Sequence, residues 1–366
     1  MDRIVLSTGG TGGHIFPALA VAEGIREAFP QVELLFVGSE HGPEGRLAGE
    51  AGIPFVGLPA RGVLGRGLRS LGSAWWMVRS MVRCWRTYSR FRPHVVIGFG
   101  SYASFVPVLL ATWKRIPTAV HEQNAYPGVT NRILSKRVQR VLLTFPDHQG
   151  WFDPQRVRVT GNPVRTNVIA LPDKDKTYTH QTGHNILVLG GSQGAQAVNE
   201  AMVQALPRLV SQGAHILHQT GQKHYSRVWR QYEGYDSSQV QVVPFISNMA
   251  EAYAWSDLVV GRAGASTVAE LTVVGRPSVL IPFPFAAHQH QLHNAKLLEK
   301  AGAALVVEQS YLPEVDLGDM ILNILALPEK LVSMGRAARK LGQPGATRRI
   351  VQEMAELAGD KGKARS

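Results

Sequence analysis

The chain has 366 residues, 45% of them hydrophobic and 18% charged, with a net charge of +12 and a pI near 10.0. At ~100–200 residues per domain that length allows two cores. The composition excludes a disordered chain, and a lone cysteine, Cys84, excludes an internal disulfide. The basic excess calls for an anionic partner but leaves nucleic acid, anionic lipid and phosphorylated small molecules open until the charge is located.

Met1-Asp2-Arg3 runs straight into the apolar Ile4-Val5-Leu6, which leaves no room for a signal peptide and predicts a cytoplasmic protein. Short apolar runs then alternate with helical patterns, the signature of βαβ units and parallel sheets. Strands are predicted at 4–7, 34–37, 95–97, 118–120, 141–143, 186–189, 215–219, 241–243, 258–260 and 278–281, with helices such as 17–28 and 294–300 between them. Val95 to Trp113 carries no charge, yet Gly98, Gly100, Ser101, Tyr102, Ser104 and Pro107 interrupt it. It reads as a buried strand, a glycine turn and a short helix, and not as a membrane span, which needs ~20 predominantly apolar residues.

The opening Arg3-Ile-Val-Leu-Ser-Thr-Gly-Gly-Thr-Gly-Gly is echoed by Asn185-Ile-Leu-Val-Leu-Gly-Gly-Ser-Gln-Gly-Ala, as though each half begins with its own strand, glycine turn and helix. Between them Asp173 to His184 is polar and linker-like. The fold expected is α/β: two doubly wound, Rossmann-like domains facing across a cleft, residues 1–163 and 164–342. The tail 343–366 is expected to return to the first domain.

Six segments carry candidate chemistry. Gly9-Gly-Thr-Gly-Gly-His14 lets backbone approach an anion at a helix start. Ile15 stands where G-x-G-x-x-G needs its last glycine, so a dinucleotide site is disfavoured. Gly190-Gly-Ser-Gln-Gly194 matches the G-x-S-x-G elbow of α/β-hydrolases, for which Asp257 and His290 could complete a triad; a nucleotide contact by Ser192 is the better reading, since no HGGG-type oxyanion segment is present. In Arg262-Ala-Gly-Ala-Ser-Thr-Val-Ala-Glu270, Ser266 and Thr267 are cap-type residues at a helix start suited to a diphosphate, and Glu270, one turn on, could accept ribose hydroxyls, although an ordinary capped helix fits as well. His288-Gln-His-Gln-Leu-His-Asn294 invites a metal, but with no cysteine or carboxylate beside it, hydrogen bonds to sugar hydroxyls are preferred. His121-Glu-Gln-Asn124 follows a strand, where α/β sheets place their sites. Asp173-Lys-Asp175 spells D-x-D but falls in the linker.

The last segment, Arg61 to Arg92, holds eight arginines, five aromatics and no acid. At ~100° per residue Arg79, Arg83, Arg86 and Arg90 share an arc of roughly 60°, beside an apolar arc of Trp75, Val78, Met81, Val82, Trp85 and Tyr88. That pairing suits the headgroup layer of an anionic membrane better than RNA, with part of the arc packed on its own domain.

Together these segments resemble the MurG family of bacterial transferases. The resemblance rests on Thr8 to His14, Gly98-Phe-Gly100, His121 to Asn124, Gly161-Asn-Pro-Val-Arg165, Gly190 to Ala195, Phe245-Ile246, Gly264 to Glu270, and His290-Gln291 before Asn294-Ala295, in family order across nearly the whole chain. Ser101 stands where family members often have glycine, and 283–290 is slightly lengthened. The resemblance implies a GT-B fold, UDP-N-acetylglucosamine as donor and lipid I, the undecaprenyl-linked N-acetylmuramoyl acceptor, whose C4 hydroxyl attacks to give lipid II for peptidoglycan. Carried onto this chain, Arg165, Ser192, Ile246 and Ala265, Ser266, Thr267, Val268, Ala269 and Glu270 would hold UDP, with Gln291 on the sugar. Thr11, Gly12, Gly13 and Asn124 would complete the site from the first half.

The reaction expected is a single inverting displacement. His14 is the first candidate for the base, because a free imidazole titrates at ~6.5; His121 and Glu122 are reserves. Helix N-termini and Arg165 would stabilise the leaving diphosphate, so no metal or other cofactor is expected. The partners expected are UDP-N-acetylglucosamine, lipid I and an anionic membrane reached through Arg61–Arg92, without nucleic acid. The location expected is the cytoplasmic face of the inner membrane, peripherally. A UDP-N-acetylglucosamine 2-epimerase of the same fold, a serine hydrolase using Ser192 and a non-catalytic membrane or RNA binder are the alternatives.

Overall fold

The computed structural model describes residues 1–10, 12–59, 71–171, 183–191 and 194–363, without the side chains of 71–74 and 360–363. The chain divides into two compact units, Met1–Arg165 with Pro344–Ser366, and Thr166–Gln343.

The first unit carries strands β1 (Arg3–Ser7), β2 (Glu33–Ser39), β3 (Phe55–Leu58), β4 (Val95–Gly98), β5 (Thr118–Glu122), β6 (Arg140–Leu143) and β7 (Val157–Val159). All pair in parallel, in the order β3-β2-β1-β4-β5-β6-β7. Its helices are α1 (Gly12–Ala28), α2 (Glu44–Glu50), α3 (Leu71–Phe91), α4 (Phe105–Trp113) and α5 (Val129–Leu134). Parallel strands are buried on both faces, which is why they read as continuous apolar runs. In β1, Ile4 and Leu6 join one core with Ile15, Val21 and Ile25 of α1, while Val5 joins the other with Trp76, Cys84 and Tyr88 of α3.

The second unit repeats the plan with β8 (Asn185–Leu189), β9 (His215–Gln219), β10 (Val240–Val243), β11 (Leu258–Gly261), β12 (Ser278–Leu280) and β13 (Ala304–Val306), again all parallel, in the order β10-β9-β8-β11-β12-β13. Its helices are α6 (Thr166–Ile169), α7 (Gln196–Ser211), α8 (Tyr225–Tyr232), α9 (Met249–Trp255), α10 (Ala265–Val274), α11 (His290–Lys300), α12 (Leu317–Leu325) and α13 (Pro328–Leu341). Ile186 and Val188 pack with Val198 and Met202 of α7 and with Ile321 of α12. The last helix, α14 (Ala346–Lys363), belongs to the first unit: Ile350 and Met354 join the α1 core, and Glu353 bonds Arg140 at 3.0 Å.

All ten predicted strands are present. The three extra ones, β3, β7 and β13, are the outermost at three of the four sheet edges, short and only partly buried. The Val95–Trp113 stretch forms a strand, a turn and a nine-residue helix, and no helix among the described residues is long and apolar enough to cross a membrane. Most of the expected linker, including Asp173 to Asp175, lies outside the described residues.

Candidate active site

Each sheet reverses its winding once. In the first unit the order turns between β1 and β4, in the second between β8 and β11. Ligands of open α/β sheets bind beyond the strand C-termini at such points. The described glycines of the candidate segments lie there: Gly9, Gly10, Gly12 and Gly13 after β1, Gly98 and Gly100 at the end of β4, Gly190, Gly191 and Gly194 after β8, and Gly264 after β11.

In the first unit Gly10 has φ +89 and its N–H donates to Glu44 Oε1 at 2.6 Å. Glu44 opens α2 fully buried beneath the turn. Nothing local in Gly42-Pro43-Glu44 announces this carboxylate; it becomes visible only when α2 folds over the loop. Gly100 has φ +79, and a Cβ there would come 3.4 Å from the His14 ring. Ser101 follows with φ +67 and ψ 158, a region almost reserved for glycine.

His14, on the first turn of α1, is half-buried. Its Nδ1 lies 2.9 Å from Gln123 Oε1, and its Nε2 has no hydrogen-bond partner among the described residues. The two reserve bases are placed differently from the sequence expectation. His121 is fully buried, Nε2 lies 2.9 Å from Gly161 O, and burial lowers its pKa to about 4, partly offset by that bond. Glu122 is 3% exposed, and four donors surround its carboxylate. Asn124 N and Nδ2 reach Oε1 at 3.0 and 3.3 Å, while Gly128 N and Asn131 Nδ2 reach Oε2 at 2.9 and 2.8 Å. A carboxylate so engaged braces its loop and is poorly placed to accept a substrate proton. Asn124 is thereby held at the loop's half-buried rim.

Gly12 and Gly13 start α1. Arg165 stacks its guanidinium 5.6 Å from the Phe16 ring centroid and lines a groove between α1 and α2 with Phe16, Glu23 and Glu50. Thr11 lies outside the described residues.

In the second unit Gly190 N donates to Gln219 O at 2.8 Å, and a Cβ on Gly190 would meet that same oxygen at 2.8 Å. Gly191 and Gly194 take φ +74 and +77. Ser192, between them, lies outside the described residues. Gly264, extended at φ −65 and ψ 146, caps α10 with no side-chain hydrogen bond to the helix. Ala265, Ser266 and Thr267 therefore form the first turn itself, one to three residues past the cap position. Val268 and Ala269 are buried beneath that turn. Glu270, 9% exposed, accepts the Tyr253 hydroxyl at 2.9 Å on Oε2, which orients its carboxylate. Ile246 lines a cavity of about 420 Å³ with Phe245, Asn248 and Trp255. Arg262 donates to Ile281 O and Pro282 O at 3.0 and 3.1 Å and to Gln309 at 2.7 Å, and lies over the Phe283 ring. Burial lowers its pKa to about 10. Gln291 Oε1 accepts from Phe283 N at 3.0 Å, which leaves its amide group as a donor.

The hydrolase alternative fails on topology. Asp257 precedes β11 and accepts from Asn185 N, at the opposite end of the sheet from the Gly190–Gly191 turn. His290 turns its Nδ1 back to Ala287 O at 2.8 Å. Among the described residues no group of three His, Cys, Asp or Glu side chains could hold a metal ion.

α3 presents a divided surface. Trp76, Ser80, Cys84 and Tyr88, four residues apart, face inward, so Tyr88 belongs to the part of the apolar arc that packs on its own domain. Trp75, 67% exposed, Val78, Val82 and Trp85 remain outside with Arg79, Arg83, Arg86 and Arg90. Lys114 lies 3.6 Å over the Trp85 ring, and Trp113 is exposed beside it. Residues 61–70 of the basic segment lie outside the described residues.

Two doubly wound units, each with glycine turns at its own switch point, have the plan of the GT-B class of two-domain glycosyltransferases. Residues 4–143 match the glycosyltransferase family 28 N-terminal domain and residues 185–350 its C-terminal domain. A protein of Nitratidesulfovibrio vulgaris (strain Miyazaki F), named UDP-N-acetylglucosamine–N-acetylmuramyl-(pentapeptide) pyrophosphoryl-undecaprenol N-acetylglucosamine transferase, is 48% identical over 99% of this chain and 99% of its own length. The protein of that name from Coxiella burnetii is 40% identical over 96% of this chain and 98% of its own. The crystal structure of Acinetobacter baumannii MurG superposes with a TM-score of 0.78 at 31% identity, covering 97% of this chain and 100% of that one. A UDP-GlcNAc 2-epimerase from Neisseria meningitidis reaches 0.68 at 14% identity, covering 97% and 100%, which shows a shared fold alone. The chain belongs to the MurG family.

Proposed function

We propose that this chain transfers N-acetylglucosamine from UDP-N-acetylglucosamine to the C4 hydroxyl of the N-acetylmuramoyl unit of lipid I, giving lipid II in peptidoglycan synthesis. The observation that carries this reading is full-length similarity to enzymes named for that reaction, together with bare glycine turns at the switch point of both units. The 2-epimerase alternative has only the fold in its favour.

The second unit is assigned the donor. The start of α10 and the Gly190–Gly194 turn, with Ser192, suit the diphosphate, because a helix start and backbone amides favour anionic oxygens. Glu270, oriented by Tyr253, is assigned the ribose, Ile246 the uracil, and the amide group of Gln291 the sugar hydroxyls. The first unit is assigned the acceptor, with its diphosphate at Gly9–Gly13 and Asn124 at the rim. Arg165 remains assigned to the leaving diphosphate.

His14 is assigned as general base. Its Nε2 takes the proton of the attacking C4 hydroxyl, the oxygen bonds to the anomeric carbon with inversion, and the bond from that carbon to the diphosphate oxygen breaks, its electron pair leaving with UDP. The exposed Trp75, Val78, Val82 and Trp85 among arginines are assigned to an anionic membrane, and a peripheral seat on the cytoplasmic face belongs to the same proposal. The test is transfer of labelled N-acetylglucosamine to a lipid I analogue. Turnover should fall by a general base's ~10²–10⁴-fold in His14→Ala. Near-parental turnover in that variant would remove the base assignment.

A further inference from the structure

We infer that Gln123 is a positioning residue that sets the tautomer of His14, through a chain of neutral hydrogen bonds running from Gly161 O through His121 and Gln123 to His14 Nδ1. The inference rests on the reading of His14 as base. The chain is written by two groups that can only accept. Gly161 O, 2.9 Å from His121 Nε2, requires that nitrogen to carry the proton, so His121 Nδ1 offers a lone pair. Phe99 O, 3.1 Å from Gln123 Nε2, requires that end of the amide to be the donor. The same Nε2 reaches His121 Nδ1 at 3.0 Å and His121 O at 3.2 Å. The other end of the amide, Oε1, then faces His14 Nδ1 at 2.9 Å and must accept from it. Neutral His14 therefore carries its proton on Nδ1 and keeps the lone pair on Nε2, the nitrogen without a partner among the described residues. Which ring nitrogen is basic is set by the bond the other makes.

The chain is built to stay uncharged. His121 is fully buried, which lowers its pKa to about 4 and keeps the ring neutral at neutral pH, while Gly161 O on one side and Gln123 Nε2 on the other fix which nitrogen donates. The ionisable groups on the surrounding elements are otherwise engaged. Glu122 of β5 is bonded to Asn124, Gly128 and Asn131, Glu44 of α2 to Gly10, Arg165 stacks on Phe16, and Arg132 of α5 lies over Trp151. Gly100 leaves the ring its space, since a Cβ there would stand 3.4 Å from it.

The experiment is nitrogen-15 NMR of the histidine side chains in the full-length protein near pH 8, with His14→Ala for assignment. The result expected is the Nδ1–H tautomer at His14 in the parent. Gln123→Met, similar in size but without an acceptor, should return the ring to the Nε2–H form that free histidine favours. Its kcat should fall at least tenfold, within a general base's ~10²–10⁴, while KM for UDP-N-acetylglucosamine changes less than about twofold. Gln123→Glu restores the acceptor toward His14, its far oxygen keeping a proton against Phe99 O and His121 Nδ1. It should recover turnover and the Nδ1–H tautomer relative to Gln123→Met. An Nε2–H tautomer in the parent, or an unchanged tautomer and kcat in Gln123→Met, overturns the relay. Undiminished turnover in His14→Ala overturns the base reading beneath it, while the tautomer spectra still judge the relay by itself.

Discussion

Ser101 stands at φ +67 and ψ 158, between Gly100 and the turn that opens α4, where the family resemblance leads one to expect glycine. A side chain in this region costs about 1–3 kcal/mol, because Cβ crowds the neighbouring carbonyls. The bonds that hold the turn come from the Ser101 carbonyl, which accepts from Ser104 N at 3.3 Å and from Ser104 Oγ at 3.0 Å, so they survive replacement of the side chain. Ser101→Gly therefore removes the strain and keeps the turn. Against this stands the greater freedom of glycine in the unfolded chain, about 0.4–1 kcal/mol. The balance favours the variant by about 1 kcal/mol, which in a domain of ~150–250 residues raises Tm by about 2–4 °C. Differential scanning calorimetry of parent and variant at one scan rate measures it. A Tm unchanged or lowered would mean that the Ser101 side chain contributes a contact worth as much as the strain, and the argument from φ would fail.

Glu122→Gln turns an amide donor toward part of a ring of four donors; with the partly buried Asn124 side taking the mismatch, stability should drop by about 1–3 kcal/mol in urea unfolding. Loss of turnover beyond 10²-fold without loss of stability would instead make Glu122 a chemical group. His121 and His218 are buried neutral, with pKa values lowered to about 4 and about 3, while the unfolded residues titrate at ~6.5. Protons then bind the unfolded chain first, so the stability they confer is complete above pH ~6.5 and is lost as pH falls toward 4 and 3, at up to about 1.4 kcal/mol per pH unit for each; His218→Gln should flatten that slope in unfolding series from pH 7.5 to 5. Gly190→Ala should lower both Tm and UDP affinity, since its Cβ meets Gln219 O at 2.8 Å, whereas a Cβ at Gly264 meets nothing nearer than Thr267 Oγ1 at 4.0 Å. Gly264→Ala should thus keep Tm and, by filling the space before α10, weaken UDP binding in calorimetry. Arg79→Gln with Arg86→Gln removes two exposed cations worth about 1 kcal/mol each at an anionic surface, so sedimentation with phosphatidylglycerol vesicles should weaken about thirtyfold at unchanged UDP affinity.

The doubly wound plan was legible because parallel strands buried on both faces are continuous apolar runs, and because the β1 and β8 openings repeat one another. What escaped were β3, β7 and β13. Each lies at an edge, where one neighbour is missing and burial is partial, so the hydrophobic signal thins before the strand ends. Glu44 escaped for a different reason, since its partner Gly10 lies 34 residues away and only tertiary folding brings a buried carboxylate under the turn.

His121-Glu-Gln-Asn124 differs from both, because what separates its residues is local. Taken as chemistry by residue type, the segment offers an imidazole and a carboxylate as bases. Taken with the two-residue period of a strand, it separates them: His121 and Gln123 point one way and Glu122 the other. The structure follows that alternation. His121 and Gln123 turn toward Phe99, Gly161 and His14, whereas Glu122 turns toward Gly128 and Asn131 and holds the loop. A carboxylate next to a base in sequence is thus opposed to it in space, and the amide beside it, which has no titratable proton, is the group in contact with His14. At the end of a β-strand, direction decides which neighbours share a site before residue type decides what they do there.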